Sequence, residues 1–347
     1  MTQPLALVTG TPGWLGSRLV QWMLHGGLDA TLPSGPQYRV RCLVQPGCDG
    51  GALRAMGAET VTGDLCDPTT LGPFVNDAEG AVVLHCAGLI HPSRIHELFD
   101  LNFRGTQNLV AAAIVAGVRR IVYVSSNSPA GINPSRDALF DEMSEDHPFL
   151  AYGKSKQMAE QVIHRAATLG QLEGVVVRPP WFYGPGQPAR QTLFFQMIRQ
   201  GKGPLVGDGR NLRSMGYVDN VCQGMALCAQ TAGISGRTYW IADERPYPMA
   251  EIIDTVELVL ERDFGMPCKH KRMRLPSIAA TVAHQVDKAL QAVGRYHQKI
   301  HVLSEMDKDI ACSIARAQAE LGFRPTVALE EGMRRSIADA LQRGIQI

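Results

Sequence analysis

The sequence has almost no excess charge, no paired-cysteine motif and no long hydrophobic run. Its 347 residues carry 34 basic and 33 acidic side chains, so composition gives no signature of a nucleic-acid or anionic-membrane partner. The eight cysteines are scattered, without a Cys-x-x-Cys pair, and no apolar run approaches the roughly 20 residues that cross a bilayer. No basic leader precedes the first apolar segment. We expect a cytoplasmic protein with reduced cysteines and without a metal site, nucleic-acid partner or membrane span.

What the sequence does contain is a glycine-rich turn at its start. Residues 5–8 form an apolar run typical of a buried strand, and Gly10, Gly13 and Gly16 follow it before a helical pattern begins. Gly10 permits a tight turn, Gly13 lets the backbone approach a pyrophosphate, and Gly16 lets the helix lie close to the strand. The turn predicts a dinucleotide site at the start of the helix, with contacts from Gly10, Thr11, Gly13, Trp14, Leu15 and Gly16.

Strand and helix patterns alternate after this turn. Strands are predicted at residues 38–44, 59–65, 81–84, 120–125 and 174–178, and helices at 99–116 and from residue 151. Hydrophobic residues make up 45% of the chain, enough for a full core. The pattern predicts an α/β protein, with a Rossmann doubly wound parallel sheet in residues 1–178 that the chain rejoins near 210–242. A smaller, mixed substrate-binding lobe then takes most of residues 179–347.

One helical segment of that second lobe has two possible environments. Residues 275–293 place apolar side chains at helical spacing. A helix lying on a membrane surface would need a richer basic face. We therefore interpret this segment as a cap helix packed on the protein.

The residues at the adenosine end do not decide between NAD and NADP. An acid after the second strand would favour NAD and an arginine NADP, but Gln45 stands there, while Arg41 and Arg54 lie close enough in sequence to reach a phosphate. Asp64 could bind the adenine amino group with Leu65 packed on the ring. Spacing alone equally allows Asp64 to cap the helix that follows at residue 68.

The next strand ends in small residues, Cys86, Ala87 and Gly88, which would let the nicotinamide ribose approach the backbone. Asn102 and Thr106 lie four residues apart on one helix face, where they could contact the cofactor or a water. Further along the chain, Tyr152 and Lys156 also share a helix face.

Together these residues resemble the extended short-chain dehydrogenase/reductase superfamily, in particular its NAD-dependent epimerase/dehydratase and 3β-hydroxysteroid dehydrogenase-like members. The resemblance covers nearly the whole chain. It rests on Thr9-Gly10-x-x-Gly13-x-x-Gly16, Asp64-Leu65, Asn102 with Gly105-Thr106, Val124-Ser125-Ser126, Tyr152-x-x-x-Lys156, Arg178-Pro179, Tyr183-Gly184-Pro185-Gly186 and Gly207-Asp208-Gly209 leading to Tyr217-Val218-Asp219-Asn220.

The resemblance implies a catalytic triad of Ser126, Tyr152 and Lys156. Tyr152 would be the general acid/base, Lys156 would lower the pKa of its phenol and hold the nicotinamide ribose, and Ser126 would fix the substrate oxygen. Val124 and Pro179 would complete the cofactor site. The resemblance also implies a homodimer formed through the helices at 99–116 and 152–168.

Departures from the family pattern separate its branches. Asn127 lies where the sugar dehydratases carry an acid, which argues against dehydration, and Trp181 replaces an asparagine that binds the diphosphate of nucleotide sugars. Arg213, however, stands where those enzymes keep a diphosphate-binding arginine, and Arg190 and Arg210 could assist it. The aromatic residues at 181–183 and 194–195 suit either a pocket for a ring system or the core of the cap lobe.

We accordingly expect an NAD(P)-dependent oxidoreductase that interconverts a secondary alcohol and a ketone on a ring substrate. Its predicted substrate contacts are Ser126, Asn127, Trp181 and Arg213. A nucleotide-sugar 4-epimerase with tightly bound NAD is the main alternative. A non-catalytic dinucleotide sensor is a minor one, because such relatives usually lack the Tyr or Lys that this chain keeps.

Overall fold

The computed structural model describes residues 3–28 and 35–347. The strands are β1 (Leu5–Thr11), β2 (Arg39–Val44), β3 (Glu59–Thr62), β4 (Val82–His85), β5 (Arg120–Val124), β6 (Glu173–Arg178), β7 (Trp181–Tyr183), β8 (Gly203–Val206), β9 (Leu212–Arg213), β10 (Met215–Tyr217), β11 (Thr238–Trp240), β12 (Tyr247–Pro248) and β13 (Arg272–Leu275). The α-helices are α1 (Trp14–His25), α2 (Gly51–Ala55), α3 (Gly72–Val75), α4 (His96–Leu98), α5 (Thr106–Val115), α6 (Leu150–Thr168), α7 (Ala189–Arg199), α8 (Val218–Gln230), α9 (Met249–Phe264), α10 (Ser277–Ala292), α11 (Gln298–Glu305), α12 (Ala315–Leu321) and α13 (Leu329–Gln342).

Seven parallel strands form the central sheet, in the order β11-β6-β5-β4-β1-β2-β3. This confirms the predicted doubly wound Rossmann sheet. The strand order reverses between β1 and β4, which are hydrogen-bonded neighbours. In open parallel sheets ligands bind beyond the carboxyl ends of the strands at such a point. The seventh strand, β11, comes from residues 238–240 and pairs with β6.

The central strands are apolar because both sheet faces are covered. All five residues of β5 are buried, and one hydrophobic cluster on each side of the sheet packs against helices. Helices α1 and α8 cover one face, while α5 and α6 cover the other. This sandwich fixes the strand ends that carry the candidate site.

A third hydrophobic cluster is built mainly from α7, α9, α13 and the short strands between them. We call these elements, together with α10 and α11, the cap. Beside it, α10 and α11 pack against each other as a helical pair. The turn between these two helices contacts the segment before α4, where the N–H of Ile95 donates to the carbonyl of Gly294 at 3.2 Å. Within the described ranges, no helix has the length and apolar content to cross a bilayer.

Two predicted elements differ in the structure. The third strand ends at Thr62 and not at residue 65, because the chain turns at Gly63, whose N–H still bonds to the carbonyl of Val44 at 3.0 Å. The predicted single helix at 99–116 is a π-helical segment, Phe99–Gly105, followed by α5, and the short helix α4 precedes both. A side-chain bond from Thr106 to the carbonyl of Asn102, 2.6 Å long, lies at the end of the π-helical segment.

Candidate active site

The three glycines of the first turn stack on one another. A Cβ on Gly13 would lie 2.6 Å from the carbonyl oxygen of Gly10, and one on Gly16 would lie 2.5 Å from the same atom. Gly10 has a φ of +79°, and a Cβ there would lie 2.6 Å from the backbone of Cys86. A side chain at any of these glycines would clash with the protein backbone, so glycine is required here whether or not a ligand is bound.

The start of α1 fits a pyrophosphate. Its N-cap, Gly13, provides no side-chain hydrogen bond, and its first turn has no acidic residue. The first N–H groups of the helix, which have no partner within it, are therefore available to an anion beyond β1, and the helix dipole favours negative charge there.

Three side chains at this turn make their contacts within the protein. The indole N–H of Trp14 donates to the carbonyl of Pro185 at 2.7 Å, and its ring lies 4.8 Å from that of Phe182. The hydroxyl of Thr11 donates to the carbonyl of Leu43 at 2.9 Å, and Leu15 is buried. All three residues are predicted cofactor contacts. Because their side chains are engaged or buried, only their backbone remains available to a phosphate.

The end of β4 lies next to Lys156. A Cβ on Gly88 would be 3.5 Å from both the Lys156 ammonium nitrogen and the Asn102 amide oxygen. The small residues Cys86, Ala87 and Gly88 thus leave room between β1 and α6, as the sequence predicts for the nicotinamide ribose.

Asn102 joins two parts of the candidate site. Its amide accepts from the Leu89 N–H at 2.7 Å and donates to the Leu89 carbonyl and the Ser155 hydroxyl, both at 3.0 Å. Both amide hydrogens are used within the protein, and only the amide oxygen keeps a lone pair for a further donor. Asn102 therefore connects the loop after β4 to α6, and its predicted contact with the cofactor stays a prediction.

At the adenosine end, Arg41 is excluded as a phosphate ligand. Its buried guanidinium forms an ion pair with Glu59 at 2.9 Å and bonds to the carbonyls of Phe74 and Asn76. Arg54 lies nearer the surface, bonded to the Thr60 hydroxyl at 3.1 Å.

Gln45 and Asp64 lie on the loops that follow β2 and β3. The Gln45 side chain is exposed. Asp64 accepts from the N–H of Cys66 at 2.9 Å, and the short 3₁₀ turn at 68–70 is capped by Asp67 instead. The alternative in which Asp64 caps that turn is wrong. Leu65 is buried beside it.

Lys156 is held at the end of β5. Its ammonium donates to the carbonyl of Val124 at 2.7 Å and lies 4.4 Å from the centre of the Tyr123 ring. Burial lowers the pKa of Lys156 to about 7, against the opposing effect of Glu160. The Val124 carbonyl, predicted as a cofactor contact, is thus engaged by the lysine.

Tyr152 and Ser126 come together beside this lysine. Tyr152 lies one turn before Lys156 on α6 and is half-buried. Burial raises the pKa of Tyr152 to about 12, and a hydrogen bond with Ser126 acts in the opposite direction. Desolvation of the phenol is the largest effect on this pKa.

The two adjacent serines have different surroundings. The Ser126 hydroxyl accepts from the N–H of Ser128 at 3.2 Å and lies 3.4 Å from the Asn127 amide oxygen. The Ser125 N–H bonds to Val177 at 2.8 Å, while its buried hydroxyl has no partner within the described part of the chain. Of the two, Ser126 is the one that reaches Tyr152.

Arg213 lies in β9 and is turned towards α11. Its guanidinium donates to the carbonyl of Glu305. Burial lowers the pKa of Arg213, and the carboxylates of Glu305, Asp309 and Asp307 act against this. Acidic groups thus already surround its charge.

The aromatic residues at 181–183 and 194–195 lie in two different environments. Phe195 and Tyr183 are buried in the cap core, and Phe182 packs on Trp14. Trp181 is 36% exposed and meets Phe194 edge-to-face at 5.7 Å. Only the Trp181–Phe194 pair is therefore open to a substrate.

A cluster beside Tyr152 was missed from the sequence. Nδ1 of His301 bonds to the fully buried carboxylate of Asp287 at 2.7 Å, and its Nε2 lies 3.9 Å from Glu305. Burial alone would lower the pKa of His301, but the hydrogen bond to Asp287 and the nearby carboxylates raise it. The charge of Glu305 also acts on Tyr152. No sequence motif joins these residues.

Tyr296 connects this cluster to the loop after β4. Its ring lies 5.4 Å from that of His301, and its hydroxyl is 2.6 Å from Nδ1 of His91 in the loop after β4. The cap thus contributes an aromatic and imidazole wall near the candidate triad.

Comparison with known proteins agrees with this geometry. Residues 6–242 match the family model described as the NAD dependent epimerase/dehydratase family. The chain belongs to this family. It is an NAD(P)-dependent enzyme of the extended short-chain dehydrogenase/reductase type, which confirms the resemblance seen in the sequence.

Relatives in the family differ in activity. The chain is 49% identical to the uncharacterized protein y4nL of Sinorhizobium fredii, over 99% of this chain and 97% of the relative. It is 27% identical to a 3beta-hydroxysteroid-dehydrogenase/decarboxylase of Arabidopsis thaliana (97% and 79%) and 26% identical to a 2-alkyl-3-oxoalkanoate reductase of Stenotrophomonas maltophilia (95% and 97%). The solved UDP-glucuronic acid 4-epimerase of Bacillus cereus in complex with NAD shares the fold, with a TM-score of 0.73 and 21% identity over 98% of this chain and 99% of that one.

Proposed function

We propose that this family member is an oxidoreductase that interconverts a secondary alcohol and a ketone on a ring-bearing substrate. The observation that carries the proposal is the state of Arg213. The arginine that would clamp the diphosphate of a nucleotide sugar is bonded to the Glu305 carbonyl among three carboxylates. A diphosphate at this point would have to displace that bond, which disfavours its binding.

The substrate side of the site supports the same conclusion. Trp181, partly exposed and in edge contact with Phe194, offers an apolar surface where nucleotide-sugar enzymes place an amide. His91 and Tyr296 add a second aromatic wall. Flat apolar surfaces of this kind suit a ring system better than a pyrophosphate.

In this proposal three side chains perform the proton chemistry. The dinucleotide, held beyond the first turn and by Lys156, would supply or accept the hydride at the carbinol carbon, and the chain would position that carbon for it. Tyr152 gives its phenolic proton to the oxygen in reduction and takes it back in oxidation. Ser126 holds that oxygen beside the phenol, and Lys156 holds the ribose and adds positive charge next to Tyr152.

The names of two relatives point to two substrate classes, a ring-bearing 3-hydroxysteroid and an acyclic 3-oxoalkanoate, and the first supports the ring-bearing substrate proposed here. Both classes carry an alcohol or ketone oxygen on a substrate that lacks a diphosphate. A homodimer through α5 and α6 stays a prediction from the family resemblance.

The test is an assay of the purified chain for released dinucleotide and for turnover. The protein is denatured and the supernatant analysed for NAD(H) and NADP(H). The native protein is then given a 3β-hydroxysteroid with NAD(P)⁺, a 2-alkyl-3-oxoalkanoate with NAD(P)H, and UDP-glucose. We expect a protein that exchanges its cofactor and changes nicotinamide absorbance with the 3β-hydroxysteroid, while Tyr152→Phe does not. Turnover of the acyclic 3-oxoalkanoate alone would keep the alcohol/ketone chemistry and refute the ring-bearing substrate.

One result would overturn the proposal. Stoichiometric, tightly retained NAD together with conversion of UDP-glucose to UDP-galactose would establish the nucleotide-sugar epimerase instead.

A further inference from the structure

Helix α10 exposes an apolar stripe to solvent. Ile278 is 68% exposed, Val282 55%, Val286 41% and Val293 70%. With Ala289, these positions fall within an arc of roughly 80° at 3.6 residues per turn and extend over about 20 Å. A continuous exposed apolar face of this kind marks an interaction surface, whereas single exposed apolar residues are ordinary.

The stripe is not needed to hold the helix on the cap. The opposite face of α10 packs on the protein through Ala280, Ala283 and Asp287, all buried. This confirms the sequence interpretation of a cap helix for that face. The helix is apolar on two sides, and only one of them has a partner within the described part of the chain.

Positive charge is concentrated around the same helix. The whole chain has a net charge of +1, yet residues 266–300 contain seven Lys or Arg and a single acid, Asp287, which is buried. Of the seven, Arg272 is neutralised by Asp254 and Glu257. The six others are exposed and form no ion pair with any described residue: Lys269, Lys271, Arg274, Lys288, Arg295 and Lys299.

Along the sequence, five of these six cations flank the stripe, and Lys288 lies within α10. Lys269, Lys271 and Arg274 precede the first residue of the stripe, Arg274 within β13, and Met273 between them is 41% exposed. Arg295 and Lys299 follow the last one. The local imbalance is hidden in the whole-chain composition because the remaining residues carry an excess of acid.

We infer that β13 and α10 form a docking surface for an anionic lipid bilayer, on which α10 lies parallel to the membrane plane. The stripe would enter the boundary between headgroups and acyl chains, while the flanking cations meet lipid phosphates. A second copy of this chain fits less well, because a two-fold contact through the stripe would bring two sets of unpaired cations together. The inference does not depend on the proposed reaction.

Docking of this kind would bring the membrane next to the active-site wall. Asp287, on the inner face of α10, holds His301 beside Glu305 and Tyr296. Apolar substrates dissolved in the bilayer would then be concentrated at the cap.

The experiment is sedimentation of the full chain with sucrose-loaded vesicles. One set contains phosphatidylcholine alone and the other about 30% phosphatidylglycerol, each at low salt and at about 0.5 M NaCl. We expect binding to the anionic vesicles at low salt, at least tenfold weaker binding to neutral vesicles, and loss of binding at high salt.

Two variants separate the apolar and electrostatic contributions. Ile278→Ser with Val282→Ser and Val286→Ser should weaken anionic-vesicle binding at least tenfold. Lys269→Gln with Lys271→Gln and Arg274→Gln should weaken it by about fivefold for each cation removed. The matched control is Leu139→Ser with Met143→Ser, which changes exposed apolar residues in the loop between β5 and α6, 41% and 79% exposed. The control should bind like the wild type.

Two outcomes would overturn the inference. One is binding that the stripe and charge variants leave unchanged, or no binding to anionic vesicles at all. The other is a dimer in size-exclusion chromatography that the stripe variant dissociates, without any vesicle binding, which would assign the stripe to a second copy of the chain. Thermal unfolding of each variant verifies that the fold is intact.

Discussion

The carboxylate of Asp287 accepts a 2.7 Å hydrogen bond from Nδ1 of His301. Because an ionised carboxylate only accepts, it fixes the imidazole with its proton on Nδ1 and directs Nε2 towards Glu305. The pair joins α10 to α11 close to Tyr152. Asp287 is fully buried.

This pair should make stability depend on pH. The pKa of His301 is raised above its ordinary value near 6.5, so its contribution is complete below that value and is lost as pH rises through the raised one. Urea unfolding of the wild type and Asp287→Asn should give a larger difference in unfolding free energy at about pH 6 than at about pH 9. Gln291→Ala, which removes the uncharged donor to Asp287, should show no such pH dependence. Equal differences at both pH values for Asp287→Asn would contradict a charged pair.

Substitution of Ser126 and of its neighbour Ser125 should have different effects on kcat. Ser126→Ala should lower kcat by about 10²-fold or more, the range for loss of a group that positions acid–base chemistry, and leave cofactor affinity nearly unchanged. Ser125→Ala should change kcat little, because its hydroxyl has no described partner and its backbone bond to Val177 remains. Steady-state kinetics and a dinucleotide titration test this. If Ser125→Ala caused the larger loss of kcat, the assignment would move by one residue.

The first turn should tolerate no methyl group. Gly13→Ala places a Cβ 2.6 Å from the Gly10 carbonyl, so the turn must shift, at a cost of about 1–3 kcal/mol for overpacking, and its phosphate-binding N–H groups shift with it. We expect a lower melting temperature and at least tenfold weaker dinucleotide binding by calorimetry. Gly72→Ala, where nothing lies within 4 Å of the added Cβ, is the control and should bind normally. Normal binding by Gly13→Ala would show that the turn is not the phosphate site.

Arg213 should be a structural residue. Arg213→Ala removes its bond to the Glu305 carbonyl and should lower the unfolding free energy by about 1.5–3 kcal/mol, the range for a hydrogen bond to a charged group. Arg210→Ala, in an exposed turn, should cost little. Added UDP should raise the melting temperature of neither protein. A UDP-dependent rise in the wild type that Arg213→Ala abolishes would instead support a nucleotide-sugar site.

Much of the fold could be predicted from the sequence because its determinants are local. Apolar runs such as 120–124 must be buried on both faces, which requires a parallel sheet with helices on either side. The spacing of Gly10, Gly13 and Gly16 predicted a tight turn between β1 and α1, and the four-residue spacing of Tyr152 and Lys156 placed both side chains on one face of α6.

Other properties arise only where distant segments meet. Arg213 looked like an anion ligand until α11, more than eighty residues later in the chain, supplied its acceptor. Asn102 looked free until the Leu89 loop and α6 engaged both hydrogens of its amide.

The apolar pattern of 275–293 specified a helix, but only packing decided which side of α10 would be buried and which would stay exposed. Sequence spacing determines which side chains share a face, since that follows from the helical repeat. What each face meets depends on contacts between elements far apart in the chain, and these exist only in the folded protein.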